Sequence, residues 1–200
     1  PELSARRLSS RLGIALSLKL DCFTPIRTFK LRGALVKLEA LEAEGPIGGV
    51  VTASAGNHGL AVARAARLFG HPATVVVPEG ANPQKVDAIV AEGAEVLVHG
   101  VDYQEAYERS LELADARGWA NVHAYDDPHI IAGQGTLGLE LEACDTFLCG
   151  IGGGGLISGV AAVLKARFPG VRVIGVQSEG ADSMVRSLEA GQPVTLEQVR

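Results

Sequence analysis

Along this chain, short apolar runs of strand length alternate with longer segments whose apolar residues recur every three or four positions. That alternation is the signature of strands separated by amphipathic helices. Val50-Val51-Thr52 reads as a strand, and Leu60 to Leu68 carries a helical pattern stopped by Gly70. Glycine ends helices readily because it takes the left-handed conformation without a Cβ clash. Ala73 to Pro78 is a second buried strand. Asn82-Pro83 opens a second helix, with proline in the first turn, where its missing N–H costs nothing. Glu95 to Val98 predicts a strand and Gln104 to Ala116 a helix, and Asp145 to Cys149, Leu156 to Phe168 and Val171 to Val176 repeat strand, helix, strand. Near the start, Leu31 to Leu41 has the helical period.

This β-α-β-α order predicts an α/β fold with mostly parallel sheets, since joining parallel strands takes a crossover of about a helix in length. No internal repeat or low-complexity linker interrupts it. Ligands in such folds settle at the carboxyl ends of strands, where loops run into helix N-termini. Two glycine-rich segments fall at such points: Ser54-Ala55-Gly56-Asn57-His58-Gly59 and Gly150-Ile151-Gly152-Gly153-Gly154-Gly155-Leu156.

Composition narrows the partners. The net charge of −5 and the lack of any basic run argue against a nucleic-acid binder. No apolar stretch approaches the roughly 18 residues that a membrane span needs. The N-terminus has no apolar signal core and no starting Met, so the chain is expected to begin inside a longer reading frame. Three cysteines, Cys22, Cys144 and Cys149, are too few and unpaired in number for a disulfide framework. The latter two lack the spacing and the nearby His of a zinc site. Reduced thiols in a cytoplasmic protein are the expectation.

Lys30 adds the chemistry. It stands in Thr28-Phe29-Lys30-Leu31-Arg32-Gly33-Ala34, flanked by apolar or tightly packing residues that favour a buried amine of lowered pKa. A lysine, an Asn-His turn and a glycine cradle together suit pyridoxal phosphate. The neutral amine condenses with the aldehyde, Asn57 can meet the ring hydroxyl, and glycine N–H groups receive the phosphate. His58 is read as part of the loop's shape rather than as a base. Asp126 and Asp127 precede Pro128 and a helical segment, a placement that predicts helix capping over metal binding. Two other classes stay open from the residues alone. Gly150-x-Gly152-x-x-Gly155, with Glu179 beyond the next strand, is a literal dinucleotide fingerprint and would suit a nicotinamide-dependent oxidoreductase. A non-catalytic protein keeping the same fold is the other.

The three motifs, in this order, resemble the threonine dehydratase and serine racemase family of fold-type II pyridoxal-phosphate enzymes. Thr28 to Ala34 is similar to the family's Ser-Phe-Lys-x-Arg-Gly-Ala, Ser54 to Gly59 to its substrate loop, and Gly152 to Leu156 to its phosphate loop; Ala132-Gly133-Gln134-Gly135-Thr136 also resembles a family stretch. The resemblance implies a tryptophan synthase β-like fold with two parallel-sheet domains and the cofactor between them. The smaller domain, 51–128, would be inserted in a larger one, 1–50 and 129–200, that continues past Arg200. It implies Lys30 as the Schiff-base lysine and the base, with Phe29 packed near the cofactor and Asn57 beside the pyridoxal hydroxyl. Gly152, Gly153, Gly154, Gly155 and Leu156 would hold the phosphate, and Ser54, Ala55, Gly56, Asn57 and His58 the substrate carboxylate. Gln177 and Ser183 stand where metal-binding members carry acids, so no cation is expected. The implied activity is dehydration of L-threonine or L-serine to a 2-oxo acid and ammonia. The implied partner is a small hydroxy-amino acid, with no nucleic acid or membrane; association with further copies is left open.

Overall fold

The structure, a computed structural model, describes residues 1–196. The last four residues of the expected larger domain lie outside the described residues. Its elements are β1 (Glu2–Ser4), α1 (Arg6–Leu12), β2 (Ser17–Lys19), α2 (Lys30–Glu44), β3 (Val50–Ala53), α3 (Asn57–Phe69), β4 (Ala73–Val77), α4 (Pro83–Ala91), β5 (Glu95–Val98), α5 (Tyr103–Arg117), β6 (Ala120–Asn121), α6 (Pro128–Leu139), β7 (Thr146–Gly150), α7 (Gly155–Arg167), β8 (Arg172–Val176) and α8 (Ser183–Ala190).

Strands β5-β4-β3-β6 form one four-stranded sheet, parallel throughout. The central pair, β3 and β4, is buried at every residue, as expected when helices cover both faces. Alternation sorts their side chains. Val50, Val75 and Val77 pack with Ala61, Val62 and Ile89 of α3 and α4, while Val51, Ala53 and Val76 pack with Ala106 and Ala114 of α5. A separate parallel pair, β7 and β8, lies further along the chain, and β1 with β2 forms an antiparallel pair that departs from the expected parallel rule. The connection between them, residues 5–16, contains α1 and turns the chain back on itself.

The helix boundaries follow local chemistry. Asn82 caps α4 by accepting from the Gln84 N–H, with Pro83 in the first turn. Asp127 caps α6 through the N–H groups of His129 and Ile130 at 2.8 and 3.1 Å, and its other oxygen pairs with Lys37 at 2.6 Å. Asp127 therefore serves helix initiation, as its place before Pro128 predicts.

Helix α6 is the spacer of the fold. A Cβ on Gly133 would fall 2.5 Å from the Gly33 Cα, and one on Gly159 only 2.1 Å from the Ile131 carbonyl oxygen. Backbones at such distances exclude side chains, so α6 brings α2 against one flank and α7 against the other. These are the helices that begin with Lys30 and with the glycine run.

Candidate active site

Lys30 is the first residue of α2, and the preceding Phe29 supplies no side-chain cap. Its Nζ donates to the Ala124 carbonyl at 2.7 Å and sits 5.5 Å from the centre of the Phe29 ring. Burial lowers the Lys30 pKa from that of a free lysine, because a low-dielectric setting disfavours the ammonium.

The acceptor comes from the segment after β6. Val122 extends the pairing by donating to the Val51 carbonyl at 2.8 Å. The Val122 carbonyl receives Thr52 Oγ1 at 2.7 Å and His58 Nε2 at 3.0 Å. A carbonyl only accepts, so Nε2 carries the proton, and among the described residues the buried Nδ1 has no partner. His58 is 4% exposed, and burial pushes its pKa down to about 4, so the ring is neutral near pH 7. His123 turns the chain next: its Nδ1 accepts from the Tyr125 and Asp126 N–H groups at 3.3 and 2.8 Å.

A cavity of about 170 Å³ opens beside Lys30. Phe29, Lys30, Gly152, Gly153, Gly154, Gly155 and Leu156 all lie in its wall, drawn from two stretches more than a hundred positions apart. Ala124, Tyr125, Ile130 and Gln134 complete much of the rest. Gly154 is the N-cap of α7 in the left-handed region at φ 90°, with no side-chain cap and no acid in the first helical turn. The first amides of α7 are thus free for an anion, which the helix dipole also favours. A Cβ on Gly152 would meet nothing within 4 Å, whereas one on Gly153 would fall 2.3 Å from the Tyr125 ring.

The second loop lies elsewhere. Ser54, Ala55, Gly56, Asn57 and His58 are outside that cavity wall. Ser54 Oγ accepts from the Gly56 N–H at 3.1 Å, and α3 starts at Gly56 with no side-chain cap, leaving amides free there too. Asn57 is exposed, and its Oδ1 accepts from Lys85 Nζ at 2.8 Å. Glu179 is exposed in a short turn after β8. Gln177 Oε1 accepts from the Met184 and Val185 N–H groups at 3.0 and 3.1 Å and so caps α8.

Ala124 and Tyr125 escape sequence reasoning because β6 is two residues long, too short for any period. Gln134 stands in a motif of recognisable residues, but only the crossing of α6 and α2 brings it to the cavity.

Pyridoxal phosphate requires an amine of lowered pKa for its aldehyde, an anion cradle for its phosphate and polar contacts for its ring. Lys30 and the start of α7 supply the first two, and the unpartnered Nε2 of Gln134 offers a contact of the third kind. The residues fit the group.

The fold and this site define a pyridoxal-phosphate enzyme: the family model described as pyridoxal-phosphate dependent enzyme matches residues 1–200, and the chain belongs to that family. It is 39% identical over 197 residues to the L-threonine dehydratase biosynthetic IlvA of Pasteurella multocida, covering 96% of this chain and 38% of that protein. To the L-threonine ammonia-lyase of Thermotoga maritima it is 43% identical over 194 residues, covering 95% of this chain and 48% of that protein. The chain thus spans less than half the length of these two relatives. Among solved structures, the processed form of threonine deaminase isoform 2 from Solanum lycopersicum superposes with a TM-score of 0.94 at 38% identity, covering 100% of this chain and 60% of that one. Maize serine racemase gives 0.95 at 35% identity, covering 100% and 62%.

Proposed function

We propose that the protein is an ammonia-lyase that dehydrates L-threonine or L-serine to a 2-oxo acid and ammonia. The observation that carries this is the shared cavity of Lys30, an amine of lowered pKa, and the uncapped glycine start of α7. When bound, pyridoxal phosphate supplies an aldehyde that captures amines and a ring that accepts electrons. Gly152 to Leu156 hold the phosphate with backbone N–H groups. Lys30, being closer to neutral than a surface lysine, takes the substrate α-proton at Nζ, and the Ala124 carbonyl orients that nitrogen. The free amides at the start of α3 receive the substrate carboxylate, with Ser54 bracing the loop through Gly56. Phe29 covers one side of the amine and restricts water there.

The relatives named threonine dehydratase and ammonia-lyase support this substrate class. We read the cofactor as lying between two units. One, 51–128, carries most of the four-stranded sheet; the other, 1–50 and 129–200, carries the β1–β2 and β7–β8 pairs. Among the described residues no helix is long and apolar enough to cross a membrane. Three free cysteines support a reducing compartment, and we take it to be the cytoplasm.

The test uses the full-length protein. A yellow colour discharged by borohydride, with 2-oxobutanoate and ammonia formed in equal amounts from L-threonine, is the expected result. A colourless protein that fluoresces with bound nicotinamide would move the assignment to the oxidoreductases.

A further inference from the structure

Gln134 is the most deeply buried polar side chain in the cavity wall that the proposed reaction leaves unused. It is 1% exposed, on α6. Its Oε1 accepts from the Gly33 N–H at 3.3 Å, in the first turn of the helix that begins with Lys30. Among the described residues it is the one side chain bonded to an amide of that turn, since Phe29 at the N-cap provides none. The Gly33 N–H is a donor, so the amide oxygen must face it; the flipped amide would set two donors together. Among the described residues, that orientation leaves Nε2, with both its hydrogens, buried and without a partner.

The close approach of α6 and α2 holds the group there. A Cβ on Gly33 would fall 2.3 Å from Gln134 Nε2, so the side chain occupies the space that glycine leaves open. Bracing the Gly33 N–H uses only Oε1, and buried donors are nearly always paired in folded proteins, so Nε2 calls for an acceptor of its own. Gln134 lines the cavity, so a bound ligand can supply that acceptor.

We propose that Gln134 is a cofactor-anchoring residue: Oε1 fixes the first turn of the Lys30 helix, and Nε2 donates to an oxygen of bound pyridoxal phosphate. This rests on the cofactor and not on the choice of substrate. The oxygen belongs either to the phosphate or to the ring substituents, and the experiment separates the two.

The full-length protein, freed of cofactor and labelled with ¹⁵N at glutamine, is titrated with pyridoxal phosphate, with inorganic phosphate and with pyridoxal, and the Gln134 side-chain amide is followed by NMR. We expect that resonance to move with pyridoxal phosphate. A matching movement with inorganic phosphate alone assigns the phosphate oxygen, and one with pyridoxal alone assigns a ring oxygen. In parallel, Gln134→Glu keeps the acceptor for Gly33 but presents an oxygen to the cofactor. It should leave the melting temperature of the cofactor-free protein nearly unchanged while weakening pyridoxal phosphate by about tenfold or more, which is about 1.4 kcal/mol. That loss, relative to wild type, should grow with rising pH, because a protonated carboxyl can still donate. Gln134→Met, which lacks both groups, should lower the melting temperature as well. A stationary Gln134 amide on saturation with pyridoxal phosphate, or cofactor affinity in Gln134→Glu that stays at the wild-type level at every pH tested, would overturn the proposal and leave Gln134 as a brace of α2 alone. Neither outcome depends on turnover, so the substrate assignment can fail while this one stands.

Discussion

Lys30 Nζ donates to the carbonyl oxygen of Ala124 at 2.7 Å, across 94 positions of sequence. The bond ties the start of α2 to the strand extension that Thr52 and His58 hold through Val122. The amine is therefore placed by the four-stranded sheet as well as by its own helix.

Borohydride reduction of the cofactor-loaded protein, followed by peptide mapping, should place the pyridoxyl group on Lys30. The other candidates are engaged: Lys37 pairs with Asp127 at 2.6 Å and Lys85 donates to Asn57 at 2.8 Å. Lys30→Ala should reduce turnover by about 10³-fold or more, since one amine both captures the cofactor and moves the proton. Label on Lys37 or Lys85 would refute the assignment.

The glycine run should be more sensitive in cofactor affinity than in folding. Gly153→Val sets a side chain within the Tyr125 ring, the Cβ alone being 2.3 Å from it. It is expected to weaken pyridoxal phosphate by at least tenfold, about 1.4 kcal/mol. Adding Tyr125→Ala should restore part of that affinity, because the clash is removed while the free amides of α7 remain. Gly154→Ala forces an L-residue to φ 90° and should cost roughly 1–2 kcal/mol of stability. Unchanged cofactor affinity in Gly153→Val would mean that the phosphate binds elsewhere.

Acid should destabilise the protein through His58. The pKa of the folded state, about 4, lies below the ordinary 6.5, so between these values the unfolded chain binds more protons. The contribution is fully present above pH 6.5, falls as pH falls toward 4 and then levels off. At 1.36 kcal/mol per pKa unit it amounts to about 3 kcal/mol. Asp127 and Glu140, whose pKa values are also lowered, lose stability only below about pH 4.5. Urea titrations from pH 4.5 to 7 should show a clearly shallower slope for His58→Gln than for wild type, with the smaller His123 effect common to both. Equal slopes would show that His58 titrates normally.

With L-serine the full-length protein should give pyruvate and ammonia with little D-serine. Racemisation needs a proton donor on the cofactor face opposite Lys30. Ala55, just before Gly56-Asn57 in the substrate-type loop, has a methyl with no proton to give, and it packs against the core. Chiral chromatography of the products decides the point: D-serine forming as fast as pyruvate would mean that Ala55 is not the deciding position.

Much of the fold is legible because its signals are local. The Glu95–Val98 strand emerges with the boundaries that its apolar run predicts, and α3 ends at Gly70, as the loss of period there requires. Asn82 and Asp127 cap the helices they precede, since an Asx side chain reaches only amides two or three residues on. The same locality explains what escaped. A two-residue strand such as β6 has no period, and β1 and β2, three residues each, are too short to show one.

By itself the sequence determined the order of the longer strands and helices, the ends of several helices, and the presence of a lysine, a substrate-type loop and an anion cradle, because each depends on residues within a turn or two of one another. Only the tertiary structure decided that Lys30 shares a cavity with Gly152 to Leu156, that Ala124 receives its amine and that Gln134 enters the wall. Those contacts depend on α6 crossing α2 at Gly33 and Gly133, and α7 at Gly135 and Gly159, at distances that leave no room for a Cβ. Close packing of backbones is a property of three helices together, and no single stretch of the chain encodes it.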